Sequence, residues 1–147
     1  MINNRFNVVY HLLYIVKIIY IMKEICIEFA EWVGINTFDG MYMKHEINSR
    51  GTHFWRLYNE YDYIITNNLY QKFCDSKGIK FTIDQRILSW EGKFEPNSFV
   101  EWIGKKGVFY YRWSYKGVPQ EPYWTEIGKN MGKNKYTTIE LWDDFNK

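Results

Sequence analysis

Two histidines and one carboxylate lie close together in the first half of the chain, in a pattern that metal sites use. His45 and Glu46 precede a polar turn at 48 to 51, and His53 follows it. Imidazole nitrogens and carboxylate oxygens bind transition metals, and residues that face each other across a hairpin can converge on one ion. The corresponding place in the second half holds Arg112 instead. The sequence therefore favours a solvated hairpin face, and we predict neither a metal site nor any other cofactor.

Basic and aromatic side chains are mixed between residues 105 and 135. Seven basic residues outnumber two acidic ones there, which gives this segment a net charge of +5. Rings that stack on bases, beside lysines that neutralise phosphates, are typical of nucleic-acid surfaces. A hairpin with aromatic residues inside and lysines at its edge has the same composition for structural reasons. The residues of this segment that we predict to bind a partner are Tyr110, Arg112, Lys116, Lys129, Lys133 and Lys135.

The first hairpin carries residue types that are concentrated at protein interfaces. We predict that Arg50, Trp55 and Arg56 contact a partner protein. In the second hairpin, strand alternation places Tyr110 and Arg112 on the face that is free to meet a partner. Protein binding and nucleic-acid binding differ in their response to salt. A nucleic-acid complex weakens steeply as salt rises, whereas a complex anchored by aromatic side chains changes little.

The remaining reactive residue types form no catalytic pattern in the sequence. A nucleophile elbow, a phosphate-binding Walker loop, a dinucleotide fingerprint and a zinc-protease motif are all missing. Adjacent carboxylates such as Asp143 and Asp144 point apart on a helix. Cys26 and Cys74 are the two cysteines and lie outside any CxxC pattern, so neither a disulfide framework nor a zinc site is expected. We expect a protein that is not an enzyme, with reduced cysteines in a cytoplasm.

The elements that position these residues occur twice, in the same order. FAEWVG at 29 to 34 returns as FVEWIG at 99 to 104, at an offset of 70 residues. TxxLYxxF at 66 to 73 returns as TxxLWxxF at 138 to 145, at an offset of 72 residues. Matched motifs in the same order and at nearly the same spacing indicate a tandem duplication.

Each copy is predicted to form a helix, a β-hairpin and a second helix. The first motif places apolar residues at i, i+3 and i+4, on one helical face. Ser98 and Glu101 have the spacing of an N-terminal capping box, and Gly34 and Gly104 suit left-handed C-terminal caps. Thr66 and Thr138 stand at the expected N-caps of the second helices. The segments rich in β-forming residues are 41 to 47 and 52 to 58 in the first copy and 108 to 115 and 123 to 127 in the second.

The composition and length favour one folded body. Of the 147 residues, 46 % are hydrophobic and 24 % are charged, and the net charge of +2 is too small to imply a polyanionic partner by itself. Copies of this size bury too little surface to be stable alone. We predict an α+β fold in which tandem-duplicated helix–β-hairpin–helix units pack into one pseudo-twofold domain with an antiparallel sheet. Residues 23 to 75 form the first repeat, 76 to 95 a connecting strand and turn, and 96 to 147 the second repeat.

Residues 1 to 22 are predicted to be an N-terminal apolar helix or a non-native extension. The run from 8 to 22 reads VVYHLLYIVKIIYIM and is interrupted by His11 and Lys17. It is shorter than the roughly 20 apolar residues that cross a bilayer, and no small-residue cleavage site follows it. Three interpretations stay open: a packed helix, sequence upstream of a natural start at Met22, and a membrane anchor.

The repeated motifs resemble those of small uncharacterised proteins encoded by bacteriophages and related mobile elements. The resemblance rests on FxxW followed by TxxL(Y/W)xxF and covers roughly residues 28 to 73 and 98 to 145. It implies a viral accessory protein in the host cytoplasm that binds a host or phage protein, for example as an inhibitor of a host defence or regulatory protein. Nucleic acid is the alternative partner, a membrane is not expected, and a homo-oligomer stays open.

Overall fold

Helices and short antiparallel strands alternate along the chain, which confirms the predicted α+β class. The computed structural model describes residues 2–39, 42–78, 96–112, 114–115, 117–126, 128 and 132–147. Most of the predicted connecting strand and turn at 76 to 95 therefore lies outside the described residues. The helices are α1 (Ile2–Asn36), α2 (Thr66–Lys77), α3 (Pro96–Lys106) and α4 (Thr138–Phe145). The strands are β1 (Phe38–Asp39), β2 (Tyr42–Met43), β3 (His45–Ile47), β4 (His53–Trp55), β5 (Ile64–Ile65), β6 (Val108–Tyr111), β7 (Ser114–Tyr115), β8 (Val118–Pro119) and β9 (Tyr123–Glu126).

The strands form separate small sheets. In the first half, β3, β4 and β5 pair in that order, and His45 lies opposite Trp55. In the second half, β6 pairs with β9, and Tyr110 lies opposite Trp124. The short antiparallel pair β1–β2 precedes the first hairpin in the chain, and the pair β7–β8 lies between β6 and β9 in the chain. The sequence predicts one antiparallel sheet. Among the described residues the two hairpins instead form separate sheets, and each hairpin lies against a helix of the other half.

The centre of the molecule is the contact between α1 and α3, which pack along each other. Ala30 and Val33 of α1 meet Val100 and Ile103 of α3, and all four side chains are buried. The indoles of Trp55 and Trp124 line the same junction, and the space that these residues enclose is too small for a water molecule. Both halves therefore contribute to one close-packed core.

Aromatic rings of the repeated motifs pack with the same geometry in both halves. The phenylalanine of each FxxW motif contacts the last aromatic residue of the second helix, and the motif tryptophan contacts that same ring. The ring pairs are Phe29–Phe73 (5.2 Å, 41°) and Trp32–Phe73 (5.9 Å, 63°) in the first half, and Phe99–Phe145 (5.4 Å, 41°) and Trp102–Phe145 (5.7 Å, 61°) in the second half. These tilted and edge-on contacts are the geometries that aromatic quadrupoles prefer.

The predicted N-caps of the second helices, Thr66 and Thr138, lie one residue after the N-caps in the structure. Ile65 and Thr137 take the N-cap positions, with nearly equal extended backbone angles. Thr137 forms a full capping box with Glu140, whereas Ile65 has no side chain that can cap. Thr66 and Thr138 are instead buried in the first turn of their helices.

Each of these buried threonines accepts a hydrogen bond from a buried tryptophan. The indole Nε1 of Trp55 donates to Thr66 Oγ1 over 3.0 Å, and that of Trp124 donates to Thr138 Oγ1 over 2.9 Å. A buried indole N–H without a partner is costly, so the threonine hydroxyl lets a large side chain sit fully inside the core.

The first-motif glycines are not helix caps. Gly34 and Gly104 both lie inside their helices, and Ser98 is the third residue of α3 and not its N-cap, because the helix begins at Pro96. Proline suits the first helical turn, where its missing N–H costs nothing. The left-handed residue after α3 is Gly107, with φ of 72°.

Gly34 and Gly104 allow each helix to approach the hairpin of the other half. A β-carbon on Gly104 would lie 2.6 Å from His45 Cε1 and 2.9 Å from Trp55 Cη2. A β-carbon on Gly34 would overlap the side chain of Tyr110 in β6. The helix of one half therefore packs against the inner hairpin face of the other, in both directions.

Helix α1 runs without a break through the predicted boundary at residue 22. Its side chains become buried at Ile18 and Met22, whereas most apolar side chains before them are exposed. Across the residues that the structure describes, no helix is both long enough and apolar enough to cross a membrane.

We expect the substitutions Thr66→Val and Thr138→Val to destabilise the protein by similar amounts. Valine keeps the shape of threonine but leaves the indole N–H of the tryptophan unsatisfied, which costs about 1–3 kcal/mol. Urea unfolding of both variants measures this. The control Thr52→Val, at an exposed hairpin position, is expected to stay within about 0.5 kcal/mol of the wild type. A large loss for one variant and none for the other would contradict the matched environments.

Gly104→Ala is expected to lower the free energy of unfolding by about 1–3 kcal/mol, because the new methyl group overlaps His45 and Trp55. In an open helix interior the same change stabilises by about 1 kcal/mol. The sign of the change in unfolding free energy, measured by urea unfolding, therefore distinguishes a close contact from an open helix. A stabilised variant would show that the helix and hairpin are not in contact.

Candidate functional site

Two of the predicted binding residues belong to the core. Trp55 has no exposed surface, and Tyr110 is 8 % exposed. The face of β6 that carries Tyr110 lies against Gly34 of α1, and burial raises the pKa of this tyrosine to about 12. Both side chains therefore support the surface from inside and have no room to contact a partner.

The other predicted residues in the first hairpin are at its surface. Arg50 is exposed at the hairpin tip, where its backbone N–H donates to the side chain of Asn48. Arg56 is half-buried, and its guanidinium lies 5.7 Å from the ring centre of Tyr63. Arg56 therefore belongs to a surface that also contains tyrosine.

Three of the predicted basic residues of the second half are at the surface. Arg112, Lys133 and Lys135 are exposed, and the ammonium group of Lys135 lies 4.7 Å from the ring centre of Tyr123. Lys116 and Lys129 are outside the described residues. Lys106 lies 3.3 Å from a carboxylate oxygen of Asp144, so part of the positive charge of this segment is neutralised within the chain.

The two hairpin histidines do come together, as their spacing suggested. His45 Nε2 and His53 Nδ1 are 2.8 Å apart, and the imidazole of His45 also packs on Trp55 with 4.1 Å between ring centres. Glu46 does not join them, because its carboxylate accepts a hydrogen bond from the hydroxyl of Tyr63. Among the described residues, no group of three or more histidine, cysteine, aspartate or glutamate side chains is placed to hold a metal ion.

Glu101 of α3 is the carboxylate that lies near the histidine pair. Its Oε2 atom is 3.9 Å from His53 Nε2. A neutral His53 with its proton on Nε2 directs that proton toward Glu101 and leaves Nδ1 to accept from His45 Nε2–H. This chain of polar groups links the first hairpin to the helix of the second half. The sequence did not indicate it, because the residues are distant in sequence and Glu101 had a capping role available.

Burial keeps both histidines uncharged near neutral pH. The pKa of His45 is lowered to about 4, first by loss of solvent and then by His53. The pKa of His53 is also lowered by burial and by Lys105, and Glu101 opposes this shift. The cluster pairs no nucleophilic side chain with a base, and burial raises the pKa of the Cys74 thiol away from the reactive thiolate. We interpret the cluster as a polar contact between the two halves.

Three exposed tyrosines follow the predicted binding residue Arg56, at positions that the sequence does not single out. Tyr58 is 56 % exposed, Tyr61 94 % and Tyr63 38 %, and all three lie on the connection from β4 to β5. We define the tyrosine surface as Arg56, Tyr58, Tyr61, Tyr63 and Ile65. The sequence pattern that marks it is YNEYDY at 58 to 63, three tyrosines in a short polar loop.

Backbone and side-chain contacts hold this loop in place. The backbone N–H of Tyr58 donates to the carbonyl of Asn36, and Glu60 N–H donates to the carbonyl of Leu57 over 3.1 Å. The carboxylate of Glu60 lies 3.7 Å from the ammonium group of Lys72 on α2. An exposed tyrosine on a loop with such contacts loses little conformational entropy when it binds.

Comparison of the chain with protein-family models, with curated proteins and with solved structures finds no match in any of the three. The fold therefore defines an α+β protein, with four helices and small antiparallel sheets around one core among the residues that the structure describes.

Acid is expected to destabilise the protein through His45. Below pH 6.5 the unfolded chain protonates this histidine, whereas the folded protein does so only near pH 4. The free energy of unfolding should therefore fall as the pH drops from 6.5 to 4, and solvent screening of this partly exposed imidazole limits its contribution to about 2 kcal/mol or less. Urea unfolding at several pH values measures the total fall.

The variant His45→Tyr provides the comparison, because Tyr110 occupies the matching place opposite Trp124 and does not titrate in this pH range. We expect the unfolding free energy of the variant to fall less with acid than that of the wild type. Parallel pH profiles for the two proteins would contradict the assignment to His45.

Proposed function

We propose that this protein is a non-enzymatic binding protein that contacts another protein through the tyrosine surface. The observation that carries the proposal is the 94 % exposure of Tyr61, on a loop held by backbone hydrogen bonds and the Glu60–Lys72 ion pair. Exposing a large aromatic ring at a fixed position has no benefit for folding, whereas tyrosine is among the residue types that contribute most to protein interfaces. Arg56, whose guanidinium lies over the ring of Tyr63, and the exposed Ile65 flank these tyrosines along the chain.

We also propose that the two halves are a tandem duplication related by approximate twofold pseudosymmetry. Support comes from the matched indole–threonine hydrogen bonds, the matched aromatic pairs and the reciprocal contacts of Gly34 and Gly104. Under this proposal the shared residues are scaffold, and function belongs where the copies differ. The connection from Trp55 to Thr66 carries three tyrosines, whereas the connection from Trp124 to Thr138 carries one tyrosine and three lysines.

The partner that we propose is a host protein. The resemblance to bacteriophage and mobile-element proteins supports a bacterial host protein, such as a defence or regulatory factor, as the target to test. A tyrosine surface with Glu60 and Asp62 between its rings suits a partner that presents apolar grooves with a basic margin. Arg56 and Lys72 balance these two carboxylates, so the tyrosine surface has no excess positive charge to neutralise phosphates and favours a protein partner over nucleic acid.

A pull-down of the tagged protein from host lysate tests this proposal. We expect a discrete protein in stoichiometric amount that survives nuclease treatment and persists when salt is raised, since its anchors are aromatic. The double variant Tyr58→Ser/Tyr61→Ser is expected to lower recovery at least tenfold, because loss of an aromatic anchor costs about 2 kcal/mol or more.

The matched control is Ile139→Ser, which removes an exposed apolar side chain on α4 and is expected to leave recovery unchanged. Urea unfolding of each variant shows whether the fold is retained. Equal recovery by the tyrosine variant would exclude the tyrosine surface, and recovery of nucleic acid alone would exclude a protein partner.

A further inference from the structure

Helix α1 presents an apolar stripe that the rest of the described chain does not cover. Val9, Leu13, Val16 and Tyr20 are 54 %, 60 %, 62 % and 64 % exposed. The stripe follows intervals of four, three and four residues, so the four side chains lie along one side of the helix. Monomeric proteins seldom leave such a continuous apolar area open to water.

The spacing of this stripe is that of the a and d positions of a coiled coil. Leu13 and Tyr20 fall at a, and Val9 and Val16 fall at d. Such a stripe is complementary to another copy of itself, because each a or d side chain fits between four side chains of the facing helix. We propose that α1 of this protein pairs with α1 of a second copy, in antiparallel orientation, to form a homodimer.

The antiparallel register follows from the four stripe residues. With Leu13 opposite Val16 of the second copy, Val9 lies opposite Tyr20 of the second copy, and all four positions are filled in both chains. The flanking positions then set Tyr10 beside Lys17 of the second copy, where a cation can contact an aromatic ring. Like charges do not meet in this register.

Charge distribution along α1 also favours this orientation. Arg5, Lys17 and Lys23 are the charged residues up to position 23, and Glu24, Glu28 and Glu31 are the charged residues that follow in the helix. Antiparallel pairing brings the basic start of one helix level with Glu24 of the other. Parallel pairing would set like charges of the two copies at the same level along the pair and would keep the basic start away from Glu24, so it lacks this attraction.

The area involved is enough for a weak dimer. The exposed part of α1 from 8 to 21 spans about 21 Å at 1.5 Å per residue, and pairing over this length buries on the order of 1,000 Å² in total, near the lower limit for a stable interface. A free helix of this length is marginal in water, but the buried part of α1 already fixes the helix, so pairing does not have to nucleate it. We expect a dissociation constant in the micromolar range.

Sedimentation velocity over a concentration series tests the dimer. We expect the wild type to shift from monomer to dimer between about 1 and 100 μM, a range set by the expected micromolar constant. The double variant Leu13→Lys/Val16→Lys should raise the dissociation constant at least a hundredfold. The matched control Val8→Lys/Tyr14→Lys adds the same charge at positions that are similarly exposed but outside the stripe, and it should still dimerise.

Two results would overturn the dimer proposal. One is a wild type that stays monomeric at 100 μM. The other is a control that loses dimerisation as fully as the stripe variant, since that would show nonspecific apolar association. Co-sedimentation of a monomeric wild type with anionic phospholipid vesicles would assign the stripe to a lipid surface instead.

Single cysteines test the orientation. Equimolar Leu13→Cys and Val16→Cys proteins should form a mixed disulfide on mild oxidation in higher yield than either protein alone, because antiparallel pairing sets these positions opposite each other. The native Cys26 and Cys74 are buried and should not compete. A higher yield of the Leu13→Cys homodimer than of the mixed pair would overturn the antiparallel register.

Discussion

The structure depends on the burial of two tryptophans, Trp55 and Trp124, between a hairpin and a helix that come from different halves of the chain. Each indole has its N–H satisfied by a threonine at the start of a nearby helix, so it can be fully enclosed without an unpaired donor. The enclosing helix carries a glycine at the contact with the hairpin. The tryptophan ring, the threonine hydroxyl and the glycine without a side chain are needed together. A substitution at one of these positions therefore affects the packing of the other two.

Part of this arrangement follows from the sequence. The helical spacing in FAEWVG and FVEWIG predicts the helices α1 and α3, and the β-rich segments around Trp55 and Trp124 predict the hairpins. The roles of Gly34, Gly104, Thr66 and Thr138 do not follow, because each residue type has a common local role as a cap. In the structure, the two glycines contact residues that are distant in the chain. The two threonines contact tryptophans that lie in another element. Local spacing contains no information about such contacts.

The same limit applies to the candidate site. His45 and His53 are close in sequence, so their contact could be predicted, whereas Glu101 belongs to the other half and could not. Trp55 and Tyr110 were predicted as surface contacts because aromatic residues are common both in interfaces and in cores, and their type does not distinguish the two. The exposed tyrosines lie in a loop with no hydrophobic periodicity, so the sequence does not indicate whether they are buried. Exposure, which only the fold reveals, separates Tyr61 from Trp55.

The reciprocal contacts of Gly34 and Gly104 have an evolutionary consequence. If the halves arose by duplication, an ancestor with one copy would have carried the helix and the hairpin, but no partner for either. Two such chains would complete each other through the same glycine and tryptophan contacts, as an isologous pair in which the contact of one chain is repeated in the other. Under this proposal, fusion would have freed each copy to diverge, with tyrosines accumulating in one connecting loop and lysines in the other. The present single chain is thus interpretable as a dimer made permanent by covalent linkage.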